Sequence, residues 1–382
     1  MGQTAGGQPI EQPPTEQGAW PLPRSFSVLL TLAAAIILVA GMRSFASSIG
    51  PIFLALVIVV VVSPLQRKIL DRGGPSWLAM VVLLVSSFGV LIAIVGLLVW
   101  STTELVGLLA TPEYTTQLSS AQDDVGDLLE GFGVGDDELQ QAVDGLDLGA
   151  VAGQVTSALS GLLGVTSAVG LLMITMLFMV MDAEKFSANL VNVSETRPEV
   201  ANGLQQFAQR TRSYFVVSTI FGLLVATLDV IALMILGIPL ALVWGVLSLI
   251  TNYIPNIGFV VGLVPPALLA FFEGGWQLSL WVIAIYLVIN IVIQSVIQPK
   301  FVGDAVGLST TLTFVSLIFW GWVLGPLGAL LAVPMTLLAK ALLVDIDPST
   351  RWAAPLISLS QPRPMDVLAT ELQNEGSEPD PD

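Results

Sequence analysis

The sequence predicts an all-α polytopic membrane protein with about eight transmembrane helices, each needing ~20 apolar residues. Three observations predict it. Of 382 residues, 54% are hydrophobic and only 11% are charged, whereas a soluble domain carries about a quarter charged residues. Mean hydropathy is +0.84. Apolar runs recur along the chain, and Gly and Pro interrupt the later ones. The same composition removes several function classes. There is no Cys and no His, which excludes a disulfide scaffold, a Ser-His-Asp triad, a His-ligated zinc site and a His proton relay. A net charge of −16 excludes a polybasic nucleic-acid binder. With no P-loop lysine pattern, nucleophile–base arrangement or metal-ligand cluster in sight, the sequence predicts no enzyme, no cofactor and no metal site.

The elements follow in order. Residues 1–24 are rich in Gly, Gln and Pro and read as a disordered cytoplasmic leader, lacking the basic n-region and cleavage site of a signal peptide. Residues 25–102 hold three spans, at 26–42, 50–66 and 76–101. Residues 103–155 form an acidic extracytoplasmic insert: Glu104, Glu113, Asp123, Asp124, Asp127, Glu130, Asp136, Asp137, Glu138, Asp144 and Asp147 meet no Lys or Arg. Val125, Leu128, Leu129 and Phe132, then Leu139, Val143 and Leu146, predict two short amphipathic helices there.

A fourth span covers 157–181 within 156–182. In the cytoplasmic region 183–213, Val200, Leu204, Phe207 and Thr211, followed by Tyr214, recur at helical spacing after Pro198. They predict an interfacial helix feeding a fifth span at 214–236. Residues 214–344 form the C-terminal bundle, and 345–382 read as a disordered cytoplasmic tail. Lys and Arg set the orientation. Placing both termini in the cytoplasm puts every basic residue except Arg43 inside and the acidic insert outside.

The bundle is interrupted. Apolar segments 240–254, 257–272, 276–298, 309–324 and 326–344 are separated or broken by Gly and Pro. The first break is Asn252-Tyr253-Ile254-Pro255-Asn256-Ile257-Gly258, and Pro265-Pro266 falls inside the next run. The second surrounds Gly325-Pro326. Proline removes a backbone N–H, and lipid cannot satisfy the carbonyl this frees. Broken backbone at membrane depth therefore either lines a polar cavity, as in transporters with discontinuous helices, or is a buried structural kink.

These breaks and the text after them carry a resemblance. Asn252 to Gly258, Pro265-Pro266, Pro299-Lys300-Phe301-Val302-Gly303, Gly307-Leu308-Ser309-Thr310, Ser316 to Trp322, Leu324-Gly325-Pro326 and Val333-Pro334 resemble the autoinducer-2 exporter family of bacterial inner-membrane transporters. They look closest to the branch that includes the autoinducer-2 exporter itself. The layout matches over roughly residues 25–344. The resemblance implies a multi-pass, homo-oligomeric permease of the bacterial cytoplasmic membrane that exports a small polar signal or metabolite such as autoinducer-2. Some members look like sodium/proton antiporters. One departure is Gln298, where the closest relatives often carry an acid, which puts an ion-coupling role of that position in doubt.

Polar residues inside spans complete the candidate site. Asn290, Gln294 and Gln298 share one helix face at i, i+4 and i+8, leading into Pro299 and Gly303. Such a stripe lines a pathway or bonds a neighbouring helix. Asp229 is the acid well inside a span. It reads either as a coupling carboxylate for Na+ or H+, or as an acid near the outer interface or facing a wet oligomer seam. Trp320 and Trp322 read as interfacial anchors. The pathway expected from the sequence thus comprises Asn252, Pro255, Asn256, Gly258, Pro265, Pro266, Asn290, Gln294, Gln298, Pro299, Gly303, Gly325 and Pro326, with Asp229 as the possible coupling carboxylate. A secondary transporter is the first reading, a monovalent cation (Na+/Li+)/proton antiporter the alternative, and a membrane scaffold the third.

Overall fold

The computed structural model describes residues 24–109, 111, 166–255, 257–298, 307–346 and 350. Most of the acidic insert, the leader, the tail, Asn256, Pro299 and Gly303 lie outside the described residues. Every regular element among the described residues is helical. Helix α1 (Arg24–Ser44) belongs to a unit of its own ending at Phe45. Its 21 residues extend about 31 Å, enough to cross a bilayer core. Arg43 in its last turn complements the helix dipole.

From Ala46 onward the chain forms a second unit. Helices α2 (Ala46–Asp71), α3 (Ser76–Leu109) and α4 (Thr166–Thr196) share an apolar core around Ala55, Leu83, Met176 and Val180. Helix α4 continues to Thr196, past the span expected to end at 181, because no Gly or Pro stops it before Pro198. Helix α5 (Pro198–Ile235) is continuous for 38 residues. The interfacial helix and the fifth span of the sequence reading are therefore one rod of about 57 Å, nearly twice the hydrocarbon thickness. Its inner-end residues Ala201, Phe207, Thr211 and Tyr214 are buried against protein, which a helix lying on the membrane surface would not require.

Helix α2 shows how a proline is accommodated. Pro64 has no N–H for the carbonyl of Val60, four residues earlier. The Ser63 hydroxyl donates to that oxygen at 2.9 Å, and Arg212 of α5 donates from Nη2 and Nε at 3.3 and 3.4 Å. Arg212 Nη2 also donates to Ser63 Oγ at 2.9 Å. The freed carbonyl thus becomes the anchor between α2 and α5. Arg212→Ala is expected to lower stability by about 1.5–3 kcal/mol, the range for hydrogen bonds to a charged group. In a Pro64→Ala background Val60 O regains its helical partner, so the same substitution should cost less. Thermal unfolding in detergent of the four proteins of this cycle measures the difference. Equal losses in both backgrounds would show that Arg212 does not act on the carbonyl.

The C-terminal half begins with α6 (Ala241–Thr251) and α7 (Gly258–Asn290), which continues as a π-helical segment, Ile291–Ile297. Helix α7 does not break at Pro265-Pro266. Proline's fixed φ is compatible with a helix, and Pro266 is buried in protein. The break falls at Gly274-Gly275, where Gly275 has φ 70° and ψ −170°, a region open essentially to glycine. The second arm folds back on the first, and Ser279 Oγ donates to Ala267 O at 2.9 Å. The first arm, 258–273, is about 24 Å long and falls short of the ~30 Å core. Leu263, Ala267, Val282 and Tyr286 from the two arms join Leu233 and Trp244 in one core.

A second hairpin follows: α8 (Thr310–Leu324), α9 (Pro326–Leu330) and α10 (Ala332–Lys340), with a closing π-helical segment, Ala341–Asp345. Ser309 caps α8 by accepting from Leu312 N at 3.2 Å. Gly325 turns the chain at φ 70°, and Pro326 starts α9 in a first-turn position that needs no N–H. Trp320 is not an interfacial anchor. It is 8% exposed, and its Nε1 donates to Thr336 Oγ1 at 3.0 Å across the hairpin, while Trp322 is 55% exposed. Lys340 is buried and paired with Asp345 at 2.7 Å. By length and composition, Ala46–Asp71, Ser76–Leu108, Pro198–Ile235 and Gly258–Ile297 can cross a membrane, and shorter apolar helices accompany them. The protein is an all-helical, polytopic membrane protein.

Candidate functional site

Three elements contribute polar side chains to one buried layer: α5, α6 and the second arm of α7. Ser248, Thr251 and Asn252 lie at i, i+3 and i+4 at the end of α6, so one helix face carries them. Tyr286, Asn290 and Gln294 lie at i, i+4 and i+8 on α7 and its π-helical segment, spread along about 12 Å. Gln294 joins the two faces. Its Nε2 donates to Asn252 Oδ1 at 2.7 Å and to Asn290 Oδ1 at 2.8 Å. Asn290 Nδ2 in turn donates to Tyr286 O at 2.9 Å. The π-helical turn falls on Gln294 itself; such turns bulge a helix and are frequent at functional sites.

The break after α6 is held on α5. Tyr214 Oη donates to Tyr253 O at 2.5 Å, and the Thr219 and Tyr253 hydroxyls share a hydrogen bond at 2.8 Å. The Phe215 and Tyr253 rings lie 5.6 Å apart. Gly222 of α5 admits the Asn252 side chain: a Cβ there would stand 2.9 Å from Asn252 Nδ2. Further along α5, Asp229 is 0% exposed. Ser248 Oγ donates to Asp229 Oδ2 at 2.5 Å. Asp229 Oδ1 and the buried Tyr286 hydroxyl have no hydrogen-bond partner among the described residues.

Of the residues the sequence singled out, Asn252, Asn290 and Gln294 meet directly, and Asp229 joins them through Ser248. Pro255 sits in the turn, its carbonyl accepting from Ile257 N at 2.8 Å. Gly258 opens α7 against the Thr251 carbonyl. Pro265 and Pro266 lie in the first arm of the hairpin. Gln298 is half-buried beyond the π-helical segment and takes no part in the amide set. Gly325 and Pro326 form the tip of the other hairpin, which packs on α2 with Leu327 against Gly50. Sequence reasoning missed Tyr214, Thr219, Ser248 and Tyr286 as partners. Tyr286 was detectable as a further step of the Asn290 stripe, and Ser248 as the residue one turn before Asn252.

The arrangement offers amide donors and acceptors beside hydroxyls, the chemistry that suits a small hydroxyl-bearing solute. Among the described residues, no group of three or more Asp, Glu, His or Cys could hold a metal ion. The decisive comparison is with protein families: the model of the AI-2E family transporters matches residues 26–346, from α1 to the end of the last helix. The chain belongs to the AI-2E transporter family. The AI-2 transport protein TqsA of Escherichia coli K12 is 32% identical over 314 residues, covering 82% of this chain and 90% of TqsA. A protein of the same organism named "Putative transport protein YhhT" is 29% identical over 314 residues, 82% of this chain and 89% of its own. A Haemophilus influenzae protein named "Putative transport protein" is 31% identical over 333 residues, 86% of this chain and 95% of its own. The polar layer of this AI-2E family chain thus lies inside the region that defines the family.

Proposed function

We propose that this AI-2E family transporter is a secondary permease that exports a small polar solute, autoinducer-2 or a compound like it, across the bacterial cytoplasmic membrane. One observation carries the reading. The Asn252–Gln294–Asn290 set sits at a backbone break and a π-helical turn, beside the buried polar groups Asp229, Ser248 and Thr251. Such polar groups at a broken backbone can exchange solvent for solute in a transporter. The printed name of TqsA supports the choice of solute. In this reading the solute meets the amides of α6 and α7, and the broken hairpins move as gates. The N- and C-termini face the cytoplasm, the acidic insert faces outward, and several copies assemble into a homo-oligomer. Monovalent cation/proton antiport is the second reading, favoured by the buried Asp229 carboxyl.

The test uses the purified full chain in liposomes loaded with autoinducer-2. Release is followed with and without imposed sodium and proton gradients. Protein-dependent release that responds to one gradient is the expected result and names the ion. Proton movement driven by sodium, with no release of autoinducer-2, would replace export by antiport.

A further inference from the structure

We propose that Asp229 and Ser248 form a proton-carrying site linked mechanically to the amide layer. The proposal rests on the transporter reading for its purpose, but its chemistry stands on this cluster alone. Asp229 is fully buried, one carboxyl oxygen is bonded to Ser248, and the other has no hydrogen-bond partner among the described residues. An ionised carboxylate left like this in an apolar interior costs several kcal/mol or more unless it meets a counter-charge or takes up a proton. The group bonded to it is the Ser248 hydroxyl from α6, and among the described residues it forms no ion pair.

The Ser248 hydroxyl suits a proton that comes and goes, since it can accept from the neutral acid and donate to the carboxylate left when the proton departs. A metal cation would need a larger set of oxygens. The coupling route is short. Ser248 and Asn252 are one turn apart on α6. A change of partner at Asp229 that shifts α6 therefore shifts an amide that bonds Gln294. The step is a plain proton transfer: Asp229 gains H+ from one side of the membrane and gives it to water on the other, with no electron or group transferred.

Infrared difference spectroscopy of the full-length protein in liposomes tests it, with the proton itself as probe. The wild type is expected to show the carbonyl stretch of a buried carboxylic acid at neutral pH, and Asp229→Asn should lose it. Ser248→Ala should keep the band but move it to higher frequency, because the acid carbonyl loses its donor. A spectrum unchanged in both variants would overturn the proposal, as would a band abolished in the wild type by sodium at constant pH. In the same liposomes, proton-gradient-driven release of autoinducer-2 should vanish in Asp229→Asn. Wild-type liposomes that show the band but never release autoinducer-2 would remove the export reading and leave the proton site in place.

Discussion

Gly258→Ala is expected to destabilise the protein more than any other single methyl addition in the α6–α7 region. A Cβ at Gly258 would overlap the Thr251 carbonyl, oxygen and carbon alike. Those are backbone atoms, so no side chain can rotate away. The end of α6 would have to move, carrying Asn252 with it. Overpacking of this kind costs about 1–3 kcal/mol and occasionally more. Controls set the sign. Nothing lies within 4 Å of a Cβ added at Gly89 or Gly96 in the middle of α3. Alanine there should leave stability unchanged or raise it by about 0.5–1 kcal/mol, since glycine inside a helix is unfavourable. Thermal unfolding of the three variants in one detergent compares them. A Gly258→Ala protein as stable as its controls would mean that α6 and α7 approach less closely than the structure has them.

The second large effect concerns transport. Asn252→Leu and Gln294→Leu are each expected to reduce autoinducer-2 release from liposomes about tenfold or more, the consequence of losing roughly 1.4 kcal/mol or more of hydrogen bonding to solute. The two residues bond each other at 2.7 Å, so their effects should not add. The double variant should be no worse than the more impaired single one. Because replacing both partners of a buried hydrogen bond by apolar groups can be nearly neutral, the double variant should also regain stability relative to the singles. Export by both single variants at the wild-type rate would remove the amide layer from the pathway and leave it as helix-packing glue.

Much of this was legible in the chain. The apolar content forced the polytopic helical class, since only helices or closed barrels satisfy the backbone in lipid and no alternating strand pattern competes. The positions of α2 and α3 and the Asn290–Gln294 stripe could be read from periodicity. The site was legible only in part, because a helix face can be read from spacing but its partner cannot. Spacing puts Asn290 and Gln294 together; it is silent on Asn252 crossing to meet them.

By itself, then, the sequence determined the class, the family, the helical segments and the hairpin tip at Gly325-Pro326, because each depends on local composition, backbone preference or a matching run of residues. The turn of α7 at Gly274-Gly275 was legible too, as the gap between segments 257–272 and 276–298, because Gly275 at φ 70° suits a turn while a proline's φ fits a helix. Only the tertiary structure decided which buried polar groups meet. Tertiary packing decided that Asp229 is bonded to Ser248, and that Arg212 answers the carbonyl freed by Pro64. These pairings join residues 19 and 152 positions apart, and no local pattern specifies them. They exist because buried polar groups must find partners wherever the fold brings them.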